Sequence, residues 1–219
     1  MPRLDLTCAC NGVAWSISET TPRSGIRYIC HCDDCQAYLM FLGRADDVLD
    51  ANGGMDAYQL PASAVRLARG QDLLACVQVT ARPLLRWYCT RCRTPVAGTY
   101  HTAKLSFISL TVQQSDQADA VLGPSSGHVW TRFGRGDLSR VRQVNIPAML
   151  WRMASRIVAA RLTGDYRNNP FFDPATSQPI ARPRRLTAGE RADLDRKVRL
   201  AAARGALRPE IGEAGAGRP

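Results

Sequence analysis

The sequence predicts a mainly β chain whose fold is tied together by metal-binding cysteines. Short apolar runs follow one another from residue 8 to residue 112, and Gly, Pro, Asn or Asp residues separate them, which is the pattern of β-strands joined by turns. Seven of the eight cysteines stand in three tight clusters inside the same stretch. Hydrophobic residues make up 45% and charged residues 22% of the 219 residues, as in ordinary globular proteins.

The strands are predicted from apolar runs that have turn signals at both ends. In chain order these runs lie at 8–17, 27–32, 58–60, 65–68, 73–80, 84–88, 96–100 and 105–112. Asn11-Gly12 predicts a turn in the first run, and Gly70-Gln71 predicts the turn between two paired strands. Residues 33–42 predict a short helix directly after the second run.

The C-terminal third is predicted to be helical. Residues 147–162 repeat apolar side chains at helical spacing, and Gly164 suits the end of that helix. A second helix is predicted to run from Thr187 to Arg204, because Thr187 and Glu190 have the spacing of a capping box.

These patterns divide the chain into three parts. We predict a zinc-binding β domain at 1–144, a helical extension at 145–204 and a disordered tail at 205–219. The net charge of +10 is uneven, with +3 in residues 1–144 and +7 in residues 145–219. An anionic partner would therefore bind the C-terminal third. Nucleic acid is not expected there, because aromatic residues do not alternate with the basic ones as base stacking requires.

The sequence also predicts a location. It has no run of about 18 apolar residues, so we expect no transmembrane helix. The N-terminus lacks the apolar segment of a signal peptide, so we expect a cytoplasmic protein. Thiols stay reduced in that compartment, and disulfides are therefore not expected. An assembly of identical subunits is compatible with this composition.

The cysteine clusters predict metal binding. They read Cys8-x-Cys10, Cys30-x-Cys32-x-x-Cys35 and Cys89-x-x-Cys92. Zinc binds four ligands in a tetrahedron, and two cysteines one or two residues apart offer two sulfurs from one tight turn. We therefore expect zinc, with two ions per chain, because seven ligands divide naturally into four and three.

The partition follows from the function of each kind of site. Four thiolates close a structural site, whereas three leave the fourth position open to water or substrate. The local triplet would hold one zinc, and the two pairs would hold the other. The sequence leaves open a mixed set that recruits Cys76 or His31. We expect His31 to lie outside the metal shell and Cys76 to be a buried, inert thiol.

The order of these motifs resembles the glutathione-dependent formaldehyde-activating enzyme family, also called the centromere-protein-V family. The resemblance covers residues 4–112, and the matching segments are Cys8-Ala9-Cys10, Cys30-His31-Cys32-Asp33-Asp34-Cys35-Gln36 and Tyr88-Cys89-Thr90-Arg91-Cys92-Arg93-Thr94-Pro95. It implies a β-tent of packed antiparallel sheets and carbon–sulfur lyase chemistry on thiol–aldehyde adducts. It also implies a structural zinc on Cys8, Cys10, Cys89 and Cys92 and a second, functional zinc on Cys30, Cys32 and Cys35.

Two departures from the family pattern stand out. Asn11 and Arg93 occupy the positions after the two structural cysteine pairs, where the family usually has Gly, so both would need a positive φ. The bulky segment 37–41 replaces a stretch of small residues near the family's substrate site.

Three functions follow. The first is an enzyme that joins or separates a small thiol, such as glutathione, and an aldehyde. Arg27, Arg44 or other nearby arginines would bind substrate carboxylates. The second is a non-catalytic zinc module that binds a protein or nucleic acid through the basic C-terminal third. The third, thiol–disulfide exchange at Cys89 and Cys92, is disfavoured because no βαβ pattern accompanies that pair.

Overall fold

The strands form two separate sheets. The computed structural model describes residues 3–18, 25–112 and 116–206. The strands of this part are β1 (Leu4–Thr7), β2 (Ala14–Ile17), β3 (Ile26–Cys30), β4 (Met55–Leu60), β5 (Val65–Arg69), β6 (Leu74–Gln78), β7 (Leu84–Cys89), β8 (Pro95–Tyr100), β9 (Ile108–Thr111), β10 (His128–Val129) and β11 (Arg184–Arg185). A small sheet has the order β1-β2-β5, and a large one has the order β10-β3-β4-β9-β8-β7-β6-β11.

The helices are fewer than the strands. They are α1 (Asp33–Leu42), α2 (Ala45–Val48), α3 (Asp116–Leu122), α4 (Ile146–Thr163) and α5 (Ala188–Ala206). The chain is thus sheet-rich, as the predicted mainly β class requires. Within the described ranges, no helix is long and apolar enough to cross a membrane.

Antiparallel pairing dominates the large sheet. The pairs β3–β4, β4–β9, β8–β9, β7–β8 and β6–β7 are all antiparallel, and only the short edge strands β10 and β11 pair in parallel. All six residues of β4 are buried, because this central strand is covered on both faces. A fully buried strand is expected to be apolar on both faces, and Asp56 is tolerated there because Arg27 pairs with it at 2.6 Å.

One expectation about the first strands is confirmed and one is wrong. The chain turns at residues 9–12, which include the predicted Asn11-Gly12, and β2 (Ala14–Ile17) is the strand that follows. Gly70-Gln71, however, does not join a pair of strands: β5 pairs with β2 in the small sheet, whereas β6 pairs with β7 in the large sheet. Gly70 adopts φ +77° and leads into a turn of 3-10 helix, which carries the chain from one sheet to the other.

Two apolar clusters fill the interior. The first lies between the sheets and is built around Trp15, Trp87 and Leu110. The second surrounds α1 and contains Tyr38 and Leu39.

Segments after residue 144 join both clusters. Phe171 packs against Trp87 with 5.0 Å between ring centroids, and Leu186 and Leu194 belong to the cluster around α1. The predicted boundary at residue 144 therefore separates segments that share their apolar interior.

The two long helices begin and end close to the predicted residues. Asn145 accepts a hydrogen bond from the Ala148 backbone at the start of α4, and Gly164 ends the helix with φ +78°. At the start of α5, Thr187 Oγ1 accepts from Glu190 N, and Glu190 Oε2 accepts from Thr187 N, which is the predicted capping box. Most of the predicted tail, from residue 207 onward, lies outside the described residues.

Candidate metal centres and the adjoining cavity

The structure brings four sulfurs together from two distant turns. Cys8 and Cys10 meet Cys89 and Cys92, and their four sulfurs lie within 4.8 Å of one another. The Cys8 and Cys10 sulfurs are 3.5 Å apart, and those of Cys10 and Cys89 are 3.9 Å apart. These distances exceed the length of a disulfide, and a zinc tetrahedron with bonds of about 2.3 Å has edges of about 3.8 Å. The donor set and its spacing fit a closed zinc site.

Each turn presents its sulfurs through a backbone kink. Asn11 has φ +54° and Arg93 has φ +57°, as expected for the positions after the two cysteine pairs. In the first turn the Val13 amide donates to Cys8 Sγ at 3.2 Å, and in the second Thr94 Oγ1 lies 3.1 Å from Cys92 Sγ. Backbone and hydroxyl donors of this kind stabilise thiolates at a metal site.

The thiols of this four-sulfur group differ in acidity. Burial raises the pKa of Cys89 to about 12. Burial acts in the same direction on Cys92, but hydrogen bonds from the side chain and backbone of Thr94 lower the pKa of that thiol to about 6. A metal ion would therefore displace the Cys89 proton but bind a Cys92 sulfur that is already largely ionised at neutral pH.

A second group holds three sulfurs. Cys30 ends β3, Cys32 is the N-cap of α1, and Cys35 lies in the first turn of that helix. Their sulfurs lie within 4.8 Å of one another, with 3.7 Å between those of Cys30 and Cys35. The Cys35 amide donates to Cys32 Sγ at 3.4 Å, so the start of the helix also favours a thiolate. Three sulfurs at these distances fit three corners of a zinc tetrahedron.

The three thiols of this group differ in pKa. Hydrogen bonds with Cys32 and Cys35, together with burial, raise the pKa of Cys30 well above its usual value. A contact with Cys30 lowers the pKa of Cys32, but Cys35 and burial outweigh it and raise that pKa to about 12. Hydrogen bonds from Cys30 and Cys32 hold the pKa of Cys35 well below its usual value. Of the three thiols, Cys35 therefore loses its proton most readily.

A buried arginine accompanies the triplet. Arg86 of β7 is 8% exposed, and its Nη2 donates to Cys35 Sγ at 3.5 Å. Burial disfavours the charged guanidinium, but the three neighbouring sulfurs outweigh burial and raise its pKa. The guanidinium carbon also lies 5.9 Å from the ring centroid of Tyr38. We did not expect this residue from the sequence, although an arginine inside the apolar run 84–88 was the available signal.

A cavity of about 330 Å³ adjoins the triplet. All three cysteines line it, and so do the side chains of Arg82, Arg86 and Arg132. Its other walls include two hydroxyl groups, Tyr28 and Ser109, whose oxygens lie 3.4 Å apart. Asp33 and Asp34 also line it, and both pair with Arg191. Aromatic or apolar lining residues include Met55, Phe107, Trp130, Phe133 and Met149. None of the four cysteines of the other group lines this cavity.

The aromatic edge of the cavity is hydrogen-bonded to α1, the helix that carries Cys35. Gln36 of α1 donates to the Phe133 carbonyl and to the His31 carbonyl, both at 2.9 Å. Arg132 lies over the ring of Phe133, with 4.7 Å from the guanidinium carbon to the ring centroid, and it is exposed at the cavity mouth. The segment 130–133 therefore forms a positioned edge of the cavity.

Other predicted residues lie away from the metal groups. His31 is fully buried and bonds through Nε2 to His128 Nδ1 at 2.9 Å, so it takes no place beside the three sulfurs. Cys76 is buried in β6, and burial raises its pKa to about 12, as expected of an inert thiol. Of the arginines considered for substrate carboxylates, Arg27 pairs with Asp56 and Arg44 with Asp47, and neither lines the cavity. The nearby arginines that do line it are Arg82, Arg86 and Arg132.

The bulky segment 37–41 also lies outside the cavity. Ala37, Tyr38 and Leu39 are buried in the cluster around α1, so their side chains support the helix and do not narrow the cavity. The space for a ligand is set instead by residues of β3, β7, β9 and the segment after β10.

The comparisons with known proteins give a family and a distant likeness to a solved structure. Residues 2–182 match the model of a family of unknown function, DUF6151. No curated protein matches the sequence at a significant level. Among solved structures, the chain is similar to the crystal structure of a Rhodobacter sphaeroides protein, with 18% identity, a TM-score of 0.38, and coverage of 56% of this chain and 97% of that chain. Neither description names a reaction, a ligand or a partner.

Proposed function

The chain belongs to DUF6151, a family of unknown function, and we propose that it is a carbon–sulfur lyase that forms or breaks adducts between a small thiol and an aldehyde. The observation that carries this proposal is the incomplete ligand set of Cys30, Cys32 and Cys35 beside a cavity of about 330 Å³. A purely structural site would have four protein ligands and no ligand-sized space next to it.

The two cysteine groups would hold two zinc ions with different tasks. The four-sulfur group would be structural, since it joins the turn before β2 to the turn after β7. The triplet would be the reactive site. A zinc ion with an open position lowers the pKa of a thiol that approaches it and so provides a nucleophilic sulfur at neutral pH.

The resemblance to the glutathione-dependent formaldehyde-activating family supports the same reading. The two sheets, with cysteine turns at Cys8–Cys10 and Cys89–Cys92, are compatible with a β-tent built on zinc-binding turns. We propose this fold relationship from the order of the motifs and the two positive-φ residues that follow the turns, Asn11 and Arg93.

The reaction is an addition and needs no oxidant or reductant. The thiol gives up its proton, its sulfur forms a bond to the aldehyde carbon, the carbon–oxygen π bond breaks, and the oxygen takes up a proton. The reverse sequence of steps breaks the adduct. The hydroxyls of Tyr28 and Ser109 line this cavity and can donate a hydrogen bond to that oxygen, as can the guanidinium of Arg86 beside the triplet. Burial raises the pKa of Tyr28, so its hydroxyl stays protonated and can act as a hydrogen-bond donor.

The rim of the cavity suits a thiol that carries a negative group. Arg132 is exposed there and lies over the rings of Trp130 and Phe133, whereas Arg82 donates to Asp34 at 3.2 Å. A carboxylate on the substrate would pair with Arg132, while Trp130 and Phe133 would contact its apolar part. Glutathione meets this description, and so do smaller anionic thiols.

The experiment follows thiol binding and adduct exchange on zinc-loaded protein. We expect glutathione to bind, and the rate of exchange between glutathione, formaldehyde and their adduct, measured by nuclear magnetic resonance, to rise above that of the buffer. Cys32→Ser should abolish both effects, whereas Cys76→Ala, a matched loss of a thiol outside both groups, should retain them. Wild-type protein that neither binds thiols nor changes the exchange rate would overturn the proposal.

The alternative of nucleic-acid binding draws less support. Several arginines of the basic C-terminal third pair with acidic residues of the chain itself: Arg184 with Glu190, Arg191 with Asp34, and Arg196 with Asp193. These pairs reduce the charge available for a phosphate backbone. A gel-shift assay at low salt tests this point, and we expect no retention.

A further inference from the structure

The guanidinium of Arg86 is a buried cation without a carboxylate partner. It is 8% exposed, and its hydrogen bond runs to the Cys35 sulfur at 3.5 Å. Its Nε is buried and has no hydrogen-bond partner. In the described part of the chain, no ion pair joins Arg86 to Asp or Glu. A buried charge requires a compensating charge, and here the neighbouring sulfurs provide it.

The backbone around Arg86 is adapted to this position. Arg86 faces Gly98 of β8 across the sheet, and a Cβ on Gly98 would lie 3.0 Å from Arg86 Nη1. Gly98 therefore leaves room for the guanidinium between the two strands and the triplet. The side chain also lines the cavity, so a ligand that enters beside the sulfurs comes close to its charge.

The net charge expected of a metal-bound triplet explains why a cation such as Arg86 lies beside it. Three thiolates around one divalent ion leave one net negative charge, and that charge repels a second anion such as a thiolate. One guanidinium in contact with the sulfurs cancels it. A neutral site accepts an anionic fourth ligand, whereas an anionic site prefers a neutral one.

We propose that Arg86 is a positioning residue that neutralises the three-sulfur site and thereby makes its open position selective for anionic sulfur over neutral ligands. This inference rests on the proposed function, because it concerns the thiol that the same site would bind. It adds a determinant of specificity that is not itself a metal ligand. The charge of Arg86, together with the metal, would determine which ligand binds at the fourth position.

The test compares an anionic and a neutral ligand on cobalt-loaded, full-length protein. Cobalt(II) replaces zinc, and its absorption reports each ligand that enters the open position. The protein is titrated with 2-mercaptoethanol, which binds as a thiolate, and with imidazole, which binds as a neutral ligand. The variants are Arg86→Gln, which removes the charge, Arg86→Lys, which keeps it, and Arg66→Gln, a matched loss of an exposed arginine on β5.

Arg86→Gln should weaken mercaptoethanol binding by roughly 10- to 100-fold, as for the loss of a charged hydrogen bond, and should leave imidazole binding within about threefold. Arg86→Lys and Arg66→Gln should keep both affinities within about threefold. A general structural defect would weaken both ligands alike, so a loss restricted to the thiol supports the charge effect.

Two results would overturn the inference. Equal mercaptoethanol affinity in wild type and Arg86→Gln would show that the charge is irrelevant. If Arg86→Gln does not fold, Arg86→Lys decides: a tenfold loss of thiol binding despite the retained charge would exclude charge as the determinant. A wild-type protein that does not respond to mercaptoethanol at all would instead overturn the proposed function.

Discussion

Arg191 donates from Nη1 to Asp34 Oδ1 at 2.6 Å, although 157 residues separate them in the sequence. Asp34 directly precedes Cys35 and is buried at the start of α1, whereas Arg191 belongs to α5. Arg82 and Thr80 also donate to Asp34 Oδ2. These contacts hold α5 against α1, the helix that carries Cys35 of the three-sulfur group.

Removing this buried carboxylate should release α5. We expect Asp34→Ala to lower the free energy of unfolding by about 3 kcal/mol, because it leaves the partly buried Arg191 with weaker partners. The value lies at the lower end of the range for buried pairs, since Arg191 keeps its bond to Asp195. Denaturant unfolding of metal-saturated protein measures it. The control Asp193→Ala removes an exposed partner of Arg196 and should cost less than about 0.5 kcal/mol; equal losses in both variants would contradict the fastening role.

Metal binding at the triplet should weaken as the pH falls. The raised pKa values of Cys30 and Cys32 mean that a metal ion must displace the protons of these two thiols, whereas the lowered pKa of Cys35 makes its proton the easiest of the three to lose. Each displaced proton gives about a tenfold change in affinity per pH unit, so we expect about 100-fold between pH 6.5 and 7.5. Competition with a chelator at several pH values measures it. A change of tenfold or less would show that fewer protons are held.

Gly70 should tolerate no side chain, because it turns the chain between the two sheets. It has φ +77°, and a Cβ there would lie 2.2 Å from the Gly12 carbonyl oxygen, which is backbone and cannot move aside. We expect Gly70→Ala to cost about 3 kcal/mol or more. The control is Gly43→Ala at the end of α1, where φ is +66° but no atom lies within 4 Å, so only about 1 kcal/mol is expected. Thermal unfolding of both variants gives the comparison, and equal losses would contradict the backbone clash.

The four-sulfur group should contribute directly to stability. It joins the turn before β2 to the turn after β7, and structural zinc supplies about 10 kcal/mol or more of binding free energy in small zinc domains. We expect Cys8→Ser to lower the free energy of unfolding by more than about 3 kcal/mol, and a strong chelator to lower the unfolding temperature of the wild type. If Cys8→Ser were as stable as Cys76→Ala, the group would have no structural role.

The sequence predicted the local features of the fold and site better than the long-range ones. The turns at Cys8–Cys10 and Cys89–Cys92 follow from spacing alone, because short loops between ligands allow few conformations. The positive φ of Asn11 and Arg93 was expected from the resemblance, because the family usually has Gly at these two positions. Helix ends at Gly164 and Thr187 were also predictable, since caps depend on neighbouring residues.

Pairing between segments that are distant in the sequence was harder to predict. The strands β5 and β6 looked like a hairpin, but their partners are set by the burial of Trp15 and Trp87 in the interior, which a local pattern does not report. Arg86 was missed because its partner is a sulfur from another part of the chain. The packing of Phe171 on Trp87 was missed because the segment around Phe171 is rich in Pro and Asn, a composition that is typical of loops and does not indicate a buried partner.

Metal content per chain tests the central claim most directly. Elemental mass spectrometry on untagged, full-length protein should give two zinc ions per chain, and Cys32→Ser should give one while circular dichroism shows an unchanged fold. That result would establish the triplet as a metal site separate from the four-sulfur group. One zinc in the wild type, unchanged by Cys32→Ser, would contradict the account, because the proposed chemistry requires an ion at the triplet.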